Sequence, residues 1–145
     1  MLTDYKTAYL SSDGGASFSA VIQAVETIYI GGVFWDDTSV YVGTNQGLYT
    51  SHNNGQTFTA EGVNGDLPAN QGIRSMAGKK VGNQVTLYAI SKAPLWGGYE
   101  PSNYWAPNSK VLRLDYGAGN TWEDVENGFT IGAVSYTHLT LPTKA

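Results

Sequence analysis

The pattern S-x-[DN]-x-G-x-[ST]-F occurs twice in this chain, as SSDGGASF at residues 11–18 and as SHNNGQTF at residues 51–58. Glycine, asparagine, aspartate and serine favour tight turns, and short runs of β-branched and aromatic residues flank both copies. Each copy therefore predicts a turn between two β-strands. The copies are about 40 residues apart, and periods of about 40 to 50 residues are typical of propeller blades or solenoid repeats.

A third, degenerate copy of the pattern follows near the end of the chain. Trp122 takes the aromatic position, and Gly119 and Thr121 match the positions before it. Gly117 stands where the acid is expected and Asp115 where the serine is expected. The aromatic positions at 58 and 122 are further apart than those at 18 and 58, which indicates an insertion in the last unit.

Composition agrees with an all-β chain and excludes several partners. The 145 residues include 18 glycines, and no apolar stripe has the helical period of 3.6. With a net charge of -4 and no basic cluster, nucleic acid is not an expected partner, since phosphate binding needs clustered Lys and Arg. No apolar run is long enough for a membrane-spanning helix. The absence of cysteine excludes disulfides and thiolate-bound zinc.

Alternating apolar residues between turn signals predict short antiparallel strands in units of four. The predicted strands are 29–35, 40–44, 47–51 and 57–61 in one unit, and 73–79, 85–91, 110–115 and 121–126 in the next. Two strands, 6–11 and 17–23, precede them. The predicted boundaries are half a unit at 1–24, full units at 28–62 and 72–127, and the start of another at 128–133.

The repeated turns resemble the Asp-box, or bacterial neuraminidase repeat, of sialidases, xyloglucanase-type glycoside hydrolases and sortilin-like domains. The resemblance covers residues 1–133 and implies a fragment of a β-propeller built from four-stranded blades, with the repeat between the third and fourth strands. Closed propellers have about four to eight blades, so we expect an internal slice of a larger protein. The resemblance also implies an extracellular or periplasmic parent, although MLTDYKTAYL at the N-terminus has no signal-peptide pattern.

Turn chemistry explains the repeat without catalysis. The carboxylate of Asp13 can accept backbone N–H groups across its turn, and the amide oxygen of Asn53 can do the same without a charge. Because the turn accepts either residue, its Asp is not needed to transfer a proton. Calcium binding by the turn is the alternative interpretation, but the turn offers few oxygen ligands. Phe18 and Phe58 are expected to be buried. The predicted structural residues are Ser11, Asp13, Gly15, Ser17, Phe18, Ser51, Asn53, Gly55, Thr57, Phe58, Gly119, Thr121 and Trp122.

The resemblance places the repeat turns on the face opposite the active site and so sorts the acids. Asp36 and Asp37 then lie on the structural face with Asp13, and we interpret them as solvated turn residues. Asp66 and Glu100 lie on the functional face and are the catalytic candidates, with exposed loop acids as the alternative interpretation. A glycoside hydrolase needs two carboxyl groups about 5–10 Å apart, and nothing in their sequence spacing brings these two together.

The insertion in the last unit, residues 92–109, is rich in aromatic residues and proline. It contains Trp96, Tyr99, Tyr104 and Trp105. Long ordered loops on a rigid scaffold commonly carry binding function, and aromatic faces stack on sugar rings. The loop therefore predicts a glycan-binding platform. Two alternatives are that the indoles fold inward as a local core and that the loop contacts another protein.

The arginine content argues against a complete sialidase. Sialidases hold the substrate carboxylate with three arginines and use a Tyr–Glu nucleophile pair, but this chain has only Arg74 and Arg113. Arg74, near the start of an inner strand, is a candidate substrate-binding residue. Two functions remain open. The chain is part of a secreted carbohydrate-active enzyme and catalytically incomplete by itself, or it belongs to a non-catalytic propeller that binds glycans or proteins.

The C-terminal segment VSYTHLTLPT, residues 134–143, closely resembles a translated sequencing adapter of the kind left in metagenomic assemblies. We therefore interpret residues 134–145 as a non-native tail, with an ordinary strand as the alternative. His138 then takes no part in function, and His52 is the one native histidine. A histidine-based triad or metal site is not expected, and no cofactor is predicted.

Overall fold

A computed structural model describes residues 1–61, 64–65, 72–92, 110–119 and 121–126, and within these ranges the protein is all-β, as predicted. The first sheet contains β1 (Leu2–Asp4), β2 (Thr7–Leu10) and β3 (Ser19–Gln23). The second sheet contains β4 (Ile30–Asp36), β5 (Ser39–Thr44), β6 (Gly47–Ser51) and β7 (Thr59–Ala60). The third sheet contains β8 (Asn64–Gly65), β9 (Gly72–Val81), β10 (Gln84–Lys92), β11 (Val111–Tyr116) and β12 (Thr121–Asp124).

Strands that follow one another in the chain pair antiparallel in all three sheets. The exception is the two-residue strand β8, which pairs parallel with β12. Asn64 and Gly65 therefore lie along β12, next to Thr121 and Trp122. Each sheet is otherwise a meander, so its interior residues are fixed by local hairpins.

The three sheets are stacked in chain order, with the second sheet in the middle. One buried cluster joins the first and second sheets and includes Ile22, Val40 and Val42. Another joins the second and third sheets and includes Tyr41 and Leu48. Successive residues of β5 therefore face opposite neighbours, as the side-chain alternation of a strand requires. Every residue of β5 after the first is buried, which explains why this strand is apolar on both faces.

Glycines allow the second and third sheets to approach closely where β4 packs on β9. A Cβ atom at Gly32 would lie 2.3 Å from the carbonyl oxygen of Met76, and Gly31 makes a similar approach to the β9 backbone. On the other strand, Gly78 lies directly against the ring of Phe34. These glycines are required for close packing, because a side chain would meet fixed neighbouring atoms.

The first sheet has one strand more than the sequence predicts. The prediction starts with the strand at residues 6–11, whereas β1 (Leu2–Asp4) precedes it and pairs with β2. All three residues of β1 are exposed. The segment therefore lacks the alternation of apolar and polar residues that identifies a strand in sequence.

The aromatic residues of the three repeats are unequally buried, which corrects the expectation that Phe18 is buried. Phe18 is 44% exposed. Phe58 packs at the edge of the cluster between the first and second sheets, and Trp122 is fully buried in the cluster between the second and third. Each of these two rings packs toward the preceding sheet, and among the described residues the first sheet has no preceding sheet.

The strand pairing around the third repeat turn differs from the alignment of that repeat with the first two in the sequence. The register of β6 and β7 places the serine of the second repeat opposite its phenylalanine. The register of β11 and β12 pairs Arg113 with Glu123 and so places Leu114, rather than Asp115, opposite Trp122. The sequence alignment of Asp115 with the repeat serine is therefore wrong by one residue, because the third turn is longer by one residue.

Candidate functional site

The first repeat turn is held together by its aspartate. Asp13 Oδ1 accepts hydrogen bonds from the hydroxyl of Ser11 at 2.8 Å and from the backbone N–H of Ser17 at 2.9 Å. Its Oδ2 accepts from the Ser17 hydroxyl, and the Ser11 hydroxyl oxygen accepts from the Gly15 N–H at 2.7 Å. Both carboxylate oxygens are therefore engaged within the turn.

The second turn repeats this arrangement with an amide in place of the carboxylate. Asn53 Oδ1 accepts from the Ser51 hydroxyl at 2.8 Å and from the Thr57 N–H at 3.0 Å. In the first turn the Ser17 hydroxyl donates to Asp13, whereas in the second turn Asn53 Nδ2 donates to the Thr57 hydroxyl at 2.8 Å. A hydroxyl group both donates and accepts. The hydroxyl residue of the pattern therefore fits either Asp or Asn, which explains their interchange between the two copies.

The hydrogen bonds of the first turn stabilise the ionised form of Asp13. They hold the pKa of Asp13 at about 2, below its ordinary value of 3.8, with the Ser17 hydroxyl as the largest contributor. A general acid needs a pKa near the operating pH. A carboxyl group with so low a pKa does not donate a proton near neutral pH, so geometry and ionisation both fit a structural role.

The carboxylate of Asp115, in the third unit, makes its side-chain contacts with strand residues rather than within the third repeat turn. Its carboxylate accepts from the Thr86 hydroxyl on β10 at 2.8 Å and forms a salt bridge with Arg113 at 2.6 Å. The hydrogen bond from Thr86 is the largest cause that lowers the pKa of Asp115. Arg113 is thus held by a carboxylate on its own strand. This agrees with its omission from the predicted substrate-binding residues.

A polar network that the sequence did not predict links the second and third sheets. The Nδ1 atom of His52 lies 3.0 Å from the Ser39 hydroxyl oxygen, and its Nε2 atom lies 3.1 Å from the Tyr116 hydroxyl oxygen. Tyr116 donates to Glu61 Oε1 at 2.8 Å, and Thr50 donates to the same oxygen at 2.6 Å. Because Tyr116 donates to the carboxylate, we assign the histidine proton to Nε2, with Nδ1 accepting from Ser39.

These five residues, Ser39, Thr50, His52, Glu61 and Tyr116, form what we call the hairpin-end network. Burial, together with the nearby carboxylate of Glu61, raises the pKa of Tyr116 to about 12. The phenol therefore stays protonated at neutral pH and is not an activated nucleophile. The ring of Tyr41 packs edge-on against that of Tyr116, with 4.9 Å between centroids. The network joins the second and third sheets through side-chain hydrogen bonds.

Sequence reasoning missed the hairpin-end network because its members are dispersed. Residues 39, 50, 52, 61 and 116 belong to different strands and turns of two units, and they form no local motif. The one available signal is the position of His52 inside the repeat, where the first copy has Ser12. That difference by itself does not identify a partner on another sheet.

Asp36 has a more specific role than the solvated turn residue we expected. Its carboxylate forms a salt bridge of 2.9 Å with Lys80 on β9, between the second and third sheets. Asp37 keeps a turn role, with a φ of 51°, and its carbonyl oxygen accepts the Trp35 indole N–H at 2.7 Å. The Asn54 N–H donates to the Thr38 carbonyl at 2.8 Å, so the two turns of the second sheet lie together at one end, which we call the hairpin end.

The other end of the sheets, the loop end, holds the stem of the aromatic insertion. Ser91 N–H donates to the Lys110 carbonyl at 2.9 Å, and Lys110 N–H donates to the Ser91 hydroxyl at 3.0 Å. The described residues on either side of 93–109 are therefore hydrogen-bonded to each other. Arg74 is exposed near the start of β9, as the sequence predicts, and the adjacent Ile73 pairs with Ser91, so Arg74 lies at this same end.

The residues predicted to act on or bind a substrate at the loop end lie outside the described residues, with the exception of Arg74. They are Asp66, Trp96, Tyr99, Glu100, Tyr104 and Trp105. The C-terminal segment 134–145 also lies outside them. In the ranges that the structure describes, no three His, Asp or Glu side chains come together as a metal site.

The same ranges contain no helix with the length and hydrophobicity needed to cross a bilayer. Comparisons of the chain with protein-family models, with curated proteins and with solved structures found no match.

Proposed function

We propose that the chain is part of a secreted Asp-box propeller protein and that it binds carbohydrate through residues 93–109. The observation that carries this proposal is the paired stem of the loop at Ser91 and Lys110. A long loop on a rigid stem is a common setting for binding function. The aromatic side chains of this segment supply flat apolar faces that suit sugar rings, and the neighbouring Arg74 suits hydroxyl or carboxylate groups of a glycan.

The bonding at the hairpin end supports the assignment of binding to the loop end. Asp13 and Asn53 are used within their turns, and the hairpin-end network is used between sheets. These polar side chains satisfy one another. The chemistry of this end therefore maintains the scaffold and leaves the loop end as the place for a ligand.

A glycosidase activity of the parent protein is the second candidate function. It would require an acid and a second carboxylate at a suitable distance, for which Asp66 and Glu100 are the sequence candidates. We place binding first because the described groups with clearly shifted pKa values are poorly suited to catalysis. Asp13 is ionised and Tyr116 is protonated near neutral pH, which are the wrong states for a general acid and a nucleophile.

A glycan array probed with the full chain tests the proposed function. We expect binding to a restricted set of glycans, and we expect Trp96→Ala and Trp105→Ala each to weaken it at least tenfold, because stacked rings contribute much of the contact with a sugar. The far-ultraviolet circular dichroism of both variants should match that of the unsubstituted chain.

Tyr88→Ala is the matched control, because this tyrosine is an exposed aromatic residue of the third sheet outside the loop. It should bind the same glycans with unchanged affinity. Glycan binding that survives both tryptophan substitutions would contradict the proposal, as would an array without any bound glycan. Hydrolysis of a bound glycan by the chain would favour the enzymatic candidate instead.

A further inference from the structure

An exposed tyrosine lies at the loop end, in the segment that joins β3 to β4. Tyr29 is 57% exposed, whereas the adjacent Ile28 is fully buried in the cluster between the first and second sheets. The Ile28 N–H donates a hydrogen bond to the carbonyl oxygen of Tyr5 at 2.8 Å. Ile28 therefore anchors the segment in the core, while the side chain of Tyr29 remains largely in solvent.

The turn between β5 and β6 holds the backbone of Tyr29 through Asn45. Asn45 Oδ1 accepts from the Tyr29 N–H at 2.7 Å, and the Asn45 N–H donates to the Tyr29 carbonyl oxygen at 3.1 Å. Asn45 Nδ2 also donates to the Thr27 carbonyl oxygen at 2.8 Å. The next residue, Gln46, donates through Nε2 to the Glu26 carbonyl oxygen at 3.1 Å. Both backbone polar groups of Tyr29 are thus bonded, which fixes the backbone that carries its exposed ring.

The same turn connects Tyr29 to the stem of residues 93–109. The backbone of Asn45 lies so close to Gly72 that a Cβ atom on this glycine would not fit. Gly72 in turn pairs with Lys92, the last described residue before 93–109. Successive backbone contacts therefore lead from Tyr29 through the turn to the base of the aromatic loop.

Two β-bulges lie beside this contact, one in the first strand of the second sheet and one in the third sheet. The register shifts make Gly31 the extra residue of β4 and Arg74 the extra residue of β9. The backbone of Gly31 lies against the carbonyl group of Arg74. Bulges redirect side chains and are frequent next to active sites. Tyr29 is two residues from Gly31, so it lies near the redirected Arg74.

We infer that Tyr29 stacks on a sugar ring of the carbohydrate bound by residues 93–109, and that Asn45 is the positioning residue for this tyrosine. The inference rests on the proposed function and extends it. Tyrosine offers a large contact area at a low cost in conformational entropy, and a backbone that is already fixed lowers the cost of binding. Since several backbone contacts separate Tyr29 from the loop stem, the ligand is an oligosaccharide rather than a single sugar.

Calorimetric titration of the full chain with an oligosaccharide selected on the glycan array tests the role of Tyr29. Tyr29→Ala should weaken binding about tenfold, as expected for an aromatic contact residue. Tyr29→Phe should bind with nearly unchanged affinity, because the ring is retained. Tyr88→Ala is again the control, since it removes an exposed tyrosine away from the loop end.

Substitutions of Asn45 test its positioning role. Asn45→Ala should weaken binding and should speed hydrogen exchange of the Tyr29 amide, because the acceptor of that N–H is lost. Asn45→Asp should restore both properties, since a carboxylate oxygen still accepts the bond. Gln46→Ala is the matched control, because the Gln46 side chain bonds to the carbonyl groups of Glu26 and Thr27 and not to Tyr29. It should leave both properties unchanged.

The outcomes separate this inference from the proposed function. Full affinity of Tyr29→Ala for an oligosaccharide whose binding is weakened by Trp96→Ala would overturn the inference and leave the proposed function intact. Full affinity of Asn45→Ala, or a loss in Asn45→Asp equal to that in Asn45→Ala, would overturn the positioning role. An array without any bound glycan would overturn the inference and the proposed function together.

Discussion

Gly32→Val should destabilise the protein by about 3 kcal/mol or more, because the new side chain would overpack the contact between β4 and β9. The Cβ position of Gly32 lies 2.3 Å from the carbonyl oxygen of Met76 and 3.0 Å from its backbone nitrogen. These are backbone atoms of a paired strand, so they cannot rotate away as a flexible side chain could. Denaturant-induced unfolding followed by circular dichroism measures the effect.

Gly14→Ala provides the control for the loss of a glycine as such. A Cβ atom at Gly14 meets nothing within 4 Å, although its φ of 71° disfavours a side chain. We expect this variant to cost about 1 kcal/mol through backbone strain alone. If Gly32→Val were no more destabilising than Gly14→Ala, the close packing of the second sheet on the third would be contradicted.

Trp122→Ala should cost about 3–5 kcal/mol, the range for removing a large aromatic side chain from a core. Trp122 is fully buried in the cluster that joins the second and third sheets. Its indole N–H has no hydrogen-bond partner among the described residues, so its contribution comes from apolar packing. The free energy of unfolding from urea titration gives the value directly.

Phe18→Ala is the matched variant, since Phe18 holds the same position in the first repeat. Because its ring is 44% exposed, we expect a loss below about 1 kcal/mol. Similar losses for the two variants would show that the aromatic positions contribute equally, contrary to the unequal burial of the three rings.

The strands of the second sheet, and β9 to β12 of the third, could be predicted because their signals are local. The run SVYVGT lies between two turn sequences, and its apolar residues match a strand buried on both faces. The repeat turns were equally accessible to prediction, because each is closed by hydrogen bonds among residues two to four positions apart. Short-range chemistry of this kind is present in the sequence itself.

Contacts between sheets were not predictable in the same way. Gly31 and Gly32 lie within the predicted strand at 29–35, but the sequence does not show that the backbone of β9 packs on them. The contact between His52 and Tyr116 joins residues of different units. The strand β1 is short and exposed, and it is identified by its pairing with β2. Each of these features depends on a partner that is distant in sequence.

The predicted site residues likewise divide into those whose partners are close in sequence and those whose partners are distant. The turn residues could be assigned a structural role from the interchange of Asp13 and Asn53 alone, and their hydrogen bonds fit that role. The interpretation of Asp36 as a solvated residue failed because its partner, Lys80, belongs to another sheet. The sorting of residues into two ends was taken from the family resemblance, and the sequence itself placed Arg74 near the start of a strand, where the structure has it.

Asp13 and Asn53 both stabilise their hairpins by accepting hydrogen bonds across the turn. Since the folded-state pKa of Asp13 is depressed to about 2 from 3.8, its stabilising contribution is present above the ordinary pKa and is lost as the pH falls toward 2. In Asp13→Asn this acid dependence should disappear, because Asn53 closes the second turn without a charge.

The most direct measurement is a pH titration of the Ser17 amide resonance by nuclear magnetic resonance, with Thr57 in the second turn as the internal control. The account predicts a midpoint at about pH 2 for Ser17 in the unsubstituted chain. It predicts no such transition for Thr57, and none for Ser17 in Asp13→Asn. Titration of Asp13 at its ordinary value of 3.8, with the hairpin unchanged below it, would contradict the account.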